Sequence, residues 1–413
     1  MNRSRYHMDA FSLPAVVVIS VLVMLLILFA FELRTLDFRY HDHYRDLKQA
    51  RLDLRSAAAL YMCDSTLLSG ADTATVLLFG EGEEPVHIKR QRWGLYEVIS
   101  IGHSPEDPFR RTYLMGKADE SSCRAALWLS NRNIPLTLAG STSIEGPVYA
   151  PQVGVKYLDL PEMKFSGRPI EADNLRPSGR YMPRLSWEMW HYLDTLKTKK
   201  ELSRDYRTVP EKYISFEEPT LYVRCDEHKE ISIQLRGNAV LYGDRIVLSK
   251  DSDIGDILVV ARSVVIKSRF RGSAQFFCAD SVRLESNVRL DYPSGLFVDS
   301  SGQNAPGVII EENSVINGYV GIHWGEKYHY VLENPCFVLR DHALVHGLVY
   351  VDGSSYIKGS IKGAAYLKDC FSHVGRNMYA EALFDVSIER DDSLAFPIMM
   401  EGPYRREMMK TLN

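Results

Sequence analysis

The longest apolar run lies near the start of the chain, where about 21 residues from Phe11 to Phe31 carry no charge. At about 1.5 Å per helical residue the run spans the roughly 30 Å hydrocarbon layer of a bilayer, which predicts a transmembrane helix over 11–31. Beyond it Leu33, Leu36, Tyr40, Tyr44, Leu47, Leu54, Ala58 and Tyr61 recur at helical steps with charged residues between them. This is one apolar stripe on a helix. Neither Pro nor Gly interrupts it before Gly70, so an amphipathic helix over 32–62 is expected to continue the span as one unit of about fifty residues. A coiled-coil stalk is the alternative, although Arg51 breaks the stripe.

Downstream the period changes from helical to alternating. "TATVLLF", "VHIKRQRWGLYEVISIGH", "RRTYLMGKA" and "AALWLS" are rich in β-branched and aromatic residues and are separated by Gly, Pro, Asp and Asn. They read as an antiparallel sheet from about Thr75 to Ser130, within a β domain over 75–160.

A short phrase then repeats: apolar, any residue, Gly, any residue, and two apolar residues one position apart. Its copies start at Ile144, Leu235, Phe270, Ile316, Val345 and Ile361, with glycines at Gly146, Gly237, Gly272, Gly318, Gly347 and Gly363. Longer stretches align as well, "GVIIEENSVINGYVGIH" with "CFVLRDHALVHGLVYVD". Such a phrase alternates inward apolar with outward polar side chains, and Gly permits a tight bend between short strands. One such turn cannot bury its inner face alone, but stacked turns can. The expectation is an irregular parallel β-helix or solenoid over 220–390, with insertions at Ser300–Gly307 and His323–Asn334. An antiparallel sandwich is the alternative.

Between the β regions, residues 161–219 read as a connector with one amphipathic helix, "SWEMWHYLDTLKTKKELSR", burying Met189, Leu193 and Leu196. Its cations Lys197, Lys199, Lys200 and Arg204 face either solvent or lipid head groups. Residues 391–413 are left as a tail. The fold class expected is therefore mainly β: an N-terminal transmembrane helix continuing into a long amphipathic helix, a small antiparallel sheet domain, and a C-terminal irregular parallel β-helix or solenoid.

The leading segment bears on localisation. Residues 1–10 carry Arg3, Arg5 and the amino group against Asp9, whereas Arg34, Arg39 and Arg45 are balanced by Glu32, Asp37, Asp42 and Asp46. That asymmetry favours a cytoplasmic leader and an exported, periplasmic or extracellular body on a single-pass inner-membrane anchor. Ordinary signal cleavage would need a small-x-small site, and the nearest candidate, Leu28-Phe29-Ala30, begins with a bulky residue.

A charged leader, a small residue, then Phe11-Ser12-Leu13 opening an apolar helix that becomes amphipathic resembles the prepilin class of type IV pilin-like proteins. The resemblance covers about fifty residues and implies cleavage between Ala10 and Phe11. That family usually has Gly before the cut and Glu at the fifth mature position, where this chain has Ala10 and Ala15. A long helix followed by a small antiparallel sheet is also a pilin-like arrangement. The glycine phrase resembles the coils of bactofilins, polymer-forming β-helix proteins.

Composition adds exclusions. Basic and acidic residues, 49 and 53, are well mixed, which argues against a nucleic-acid groove. Six cysteines stand singly, without zinc or redox spacing. Cys63 with Cys123 is the pairing expected of an exported body, and buried free thiols are the alternative. Hydrolase, zincin and nucleotide motifs are absent. His41 and His43 point to different helix faces, and His323, His329, His342 and His346 show no shared metal geometry, so no metal or cofactor is expected. Asp251, Asp253, Asp256, Glu311, Glu312 and Asp341 are the carboxylates available for glycoside cleavage, but their turn-like settings read as solvated bends. Trp324, Tyr328 and Tyr330 form a candidate sugar-stacking platform.

The function expected is that of a non-enzymatic, membrane-anchored bacterial envelope protein with a structural or assembly role, a pilin-like component of a filament or secretion system. Its partners would be the lipid bilayer and either envelope or pilus-assembly proteins or further copies of itself, with no nucleic acid. A membrane-tethered β-helix enzyme or binding protein acting on polysaccharide is the alternative.

Overall fold

The computed structural model describes residues 12–412 except 65–66, 69–70, 80–83, 105–106, 119–123, 210–211, 227–228, 301–306, 325–334 and 403. Both insertions expected in the repeat region thus fall largely outside the described residues.

Helix α1 runs unbroken over Ser12–Cys63, about 78 Å at the usual rise. Its apolar residues from Val16 to Phe31 are exposed, as are Leu33, Leu36, Tyr40 and Tyr44. The predicted stripe becomes buried only at Leu54, Ala58 and Tyr61. One helix is therefore long and apolar enough to cross a membrane, and its second half ends against a folded body.

That body begins with an antiparallel sheet: β1 (Thr73–Val76), β2 (Val86–Trp93), β3 (Tyr96–Gly102) and β4 (Arg111–Ala118). One face covers α1 through Val86, Ile88, Ile99, Ile101, Tyr113 and Met115. The sheet is completed by Arg405–Leu412, antiparallel to β4. The tail expected over 391–413 thus supplies a strand. Its modest alternation, Arg406 and Leu412 inward, is too weak to read before a partner edge is known.

Most of the remaining β structure is a stack of three parallel ladders, and Asn377–Ala380 pairs antiparallel with Phe371–Val374 beside it. In the first, Leu241, Val259, Phe276, Leu296, Val320, Val349 and Ala365 lie in one column. The second aligns Ile316, Val345, Ile361 and Ile388. The third aligns Ile246, Val264, Val282, Val308 and Phe337. All these side chains point into one shared core.

The column above Ala365 does not continue downstream. It continues with Leu127, then Val148, then Leu175. In the second ladder Ile388 is followed by Ile144, and in the third Leu383 by Leu138. The chain thus lays the last turns of the stack first. It returns to the other end by way of helix α2 (Trp187–Thr198) and coils back until Ser360–Glu389 meets Leu127–Glu145. Leu127–Leu129, expected in the antiparallel sheet, belongs to this parallel stack. An alternating run of three residues satisfies either kind of ladder, and of its two partners one, Ala365–Leu367, lies well over 200 residues away.

The glycine phrases at Gly146, Gly318, Gly347 and Gly363 share one register at the corner between the second and first ladders, whereas Gly272 pairs with Leu290, two residues earlier. Gly318, Gly347 and Gly363 are register partners with φ of 145°, 149° and 135°. A Cβ on Gly347 would sit 1.7 Å from the Gly318 carbonyl oxygen, where no side chain fits.

The outer face of the first ladder forms a second core with α2 and the antiparallel sheet. Tyr242, Phe277, Phe297, Tyr319 and Tyr350 are buried there under Met189, Leu193 and Leu196, the three helix positions predicted. The β2–β3 turn is locked onto this face. Gln275 accepts from the Leu95 N–H at 2.8 Å and donates to the Trp93 carbonyl at 3.0 Å, and Tyr319 donates to Gln275 Oε1 at 3.0 Å.

Replacing Gly347 by Ala is expected to cost about 3 kcal/mol or more, because backbone must move. Gly375→Ala, at φ 60° with nothing within 4 Å of the added Cβ, is expected to cost only about 1–2 kcal/mol. Denaturant midpoints of the full chain in detergent distinguish the two.

Candidate functional site

The residues nominated from sequence do not converge. Ala10, Phe11, Tyr328, Tyr330 and Cys123 lie outside the described residues. Trp324 is half-buried against the stack core. Cys63 is an exposed free thiol, and Cys225, Cys278, Cys336 and Cys370 are buried in separate turns.

Two of the six nominated carboxylates, Asp253 and Glu311, bridge one turn to the next. Asp253 takes both Nε and Nη2 of Arg236, at 3.0 and 2.5 Å. Glu311 lies 2.8 Å from Arg283 and 3.8 Å from Arg340. Asp256 accepts from Lys410 at 2.7 Å, tying the C-terminal strand to the stack. Asp251, Glu312 and Asp341 are exposed. The histidines are likewise dispersed among carboxylates: His323 lies 3.2 Å from Asp352 and His346 3.0 Å from Asp391. Among the described residues no group of His, Cys, Asp and Glu is arranged to hold a metal ion.

A carboxyl pair that sequence reading missed is Asp369 with Glu381, exposed by 1% and 0%. Arg132, from the early turns, contacts Asp369 and stands 3.8 Å from Glu381. The group therefore sits on the join between the two segments of the stack. Burial and the adjacent Asp369 charge push the Glu381 carboxyl up to about 8, with Arg132 opposing them. Pairs driven apart in this way are candidates for acid–base chemistry. A catalytic acid must nevertheless reach its substrate, and these two do not reach solvent.

The accessible constellation is a groove of about 470 Å³ where β2, α2 and the first ladder meet. Alternation along β2 sends Val86 and Ile88 toward α1 and leaves Lys89, Gln91 and Trp93 on the groove side. Lys199, at the end of α2, and Tyr222, on the stack, complete the opposite walls. Gln91 donates to the Thr220 hydroxyl at 3.3 Å, which donates to Asn238 at 2.9 Å. Tyr192, its phenol pushed up to about 12 by burial, accepts the Gly94 N–H at 3.1 Å. Arg90 and Arg92 also line the groove, Arg90 paired there with Asp72 at 3.3 Å and Arg92 donating to the Ile398 carbonyl at 3.0 Å. The local signal in sequence was only the alternation in "VHIKRQRW", because the facing lysine is 110 residues away.

The carboxyl pair yields a pH signature. A folded pKa raised from the ordinary 4.5 to about 8 means that the folded chain holds more protons than the unfolded one between those values. Stability is therefore expected to fall as pH rises from about 4.5 to 8 and to level off above. Glu381→Gln is expected to flatten that slope and to raise stability at pH 9, read from denaturant midpoints across the pH range.

No family model, curated protein or solved structure matches this chain.

Proposed function

We propose that this chain is a non-enzymatic, single-pass membrane protein of a bacterial envelope, with its leader in the cytoplasm and its body exported. The body is an irregular parallel β-helix, and its role is structural or in assembly, as a pilin-like component of a filament or secretion system. The observation that carries the reading is the continuity of α1: one helix is fully exposed and apolar at one end and buried in the body at the other. A helix of this kind costs solubility unless lipid covers it.

The attachment of α1 also supports an anchoring role. Tyr61 donates to Glu97 Oε2 at 2.8 Å, and Arg406 donates to the same oxygen at 3.2 Å. The guanidinium lies 4.5 Å from the Tyr61 ring centroid. Burial and the Glu97 charge raise the Tyr61 pKa far above its ordinary value, so the phenol remains a donor. Helix, sheet and C-terminal strand meet in one buried network, which suits an element that passes force or position from membrane to body.

The test is fractionation with protease protection. The chain is expected in the membrane, requiring detergent for release, with the body digested only once the outer face of the inner membrane is exposed. Substituting Val21 and Leu25 by Arg is expected to abolish membrane retention. An N-terminus at methylated Phe11 by mass spectrometry supports the pilin-like part, and an intact Met1 overturns it. Unmodified protein free in the cytosol overturns the whole reading.

A further inference from the structure

The groove between β2, α2 and the first ladder has unlike walls, and its polar content goes beyond what packing requires. Lys89 and Lys199 enter it from different elements, and among the described residues neither has an ion-pair partner. The groove's two arginines are held by Asp72, Glu188 and backbone carbonyls. Two unneutralised ammonium groups across one cleft repel each other, and an anion between them removes that cost.

The other lining groups suit a polyhydroxylated molecule rather than a bare ion. Gln91, fixed through Thr220 and Asn238, retains its carbonyl oxygen as an acceptor. Thr195 donates to the His191 carbonyl at 2.9 Å, which leaves its lone pairs facing the groove. Tyr222 is half-buried beside Tyr242, ring centroids 6.3 Å apart, and presents an aromatic surface. A volume of about 470 Å³ falls within the range of small-molecule sites.

We propose that this groove binds an acidic saccharide, a sugar carrying one carboxylate or phosphate, with the anion held by Lys89 and Lys199 and the sugar ring against Tyr222. The body would then hold an anionic glycan at a site independent of the anchor.

The test is calorimetric titration of the full chain in detergent with galacturonate, its methyl ester, a hexose 6-phosphate and inorganic phosphate. Binding is expected for the uronate or the sugar phosphate, the one that binds identifying the source of the charge. The affinity is expected to fall at least tenfold when Lys89 and Lys199 are both replaced by Ala, and to stay within threefold when both become Arg. Tyr222→Ala is expected to remove the preference for sugar phosphate over inorganic phosphate or, if uronate is the ligand, to weaken its binding. Unchanged denaturant midpoints confirm that the variants remain folded. The proposal is overturned if neither acidic sugar binds, if the methyl ester binds as well as the acid, if inorganic phosphate binds as well as the sugar phosphate, or if the double Ala variant binds like the parent.

Discussion

The close approach of backbone to backbone at the glycine corner is the constraint on which the rest of the body depends. Where Gly347 passes over Gly318, a carbonyl oxygen occupies the place a side chain would take, and the same holds at Gly363 over Gly347. This approach lets the turns from Ser294 to Gly363 lie one strand spacing apart. Buried hydroxyls serve neighbouring corners: Ser252 donates to the Ile231 carbonyl at 3.1 Å and Ser314 to the Glu285 carbonyl at 2.9 Å. The bends thereby keep their polar groups satisfied inside an apolar core.

A stack of turns has two ends and normally one direction of chain. Here it has a join in its interior, because the turns from Leu127 to Pro177 lie beyond those that end at Glu389. The chain reaches the join from β4 and leaves it toward the C-terminal strand, so both flanking segments enter the same antiparallel sheet. That sheet covers α1 on one side and the aromatic face of the first ladder on the other. Helix α1, sheet and stack are therefore joined through two continuous apolar cores, and relative motion between them would expose both. The charged group at the join, Arg132 with Asp369 and Glu381, holds a buried electrostatic cost within this continuity.

What sequence revealed was local. Helical steps located α1 and the three buried positions of α2, and the glycine phrase located turns of the parallel β structure in six places. Even Ile144–Ala150, assigned by position to the earlier β domain, carried the phrase that sets it in the stack. What remained hidden depended on partners far apart in the chain. Alternation in Leu127–Leu129 is the same whether the neighbour is parallel or antiparallel, and nothing near Arg405–Leu412 announces β4. The candidate groove needed Lys89 and Lys199 to be brought face to face, and the Glu381 environment needed Arg132 from the other side of the join. Exposure followed a similar rule. The stripe of α1 was legible from Leu33 to Tyr61, but where the body begins to cover it was decided by the sheet.

The join is the central claim, because through it both ends of the stack connect to the sheet that covers α1. Glu145 and Glu389 are exposed register partners across it, at a spacing of about 4.8 Å that a disulfide can bridge. With Cys63 and Cys123 replaced by Ser, both glutamates changed to Cys and mild oxidant added, non-reducing peptide mass spectrometry measures the contact. This account predicts a 145–389 disulfide within one chain, formed without loss of folded signal. Free thiols, or a bridge only between chains, in protein that remains folded would contradict it.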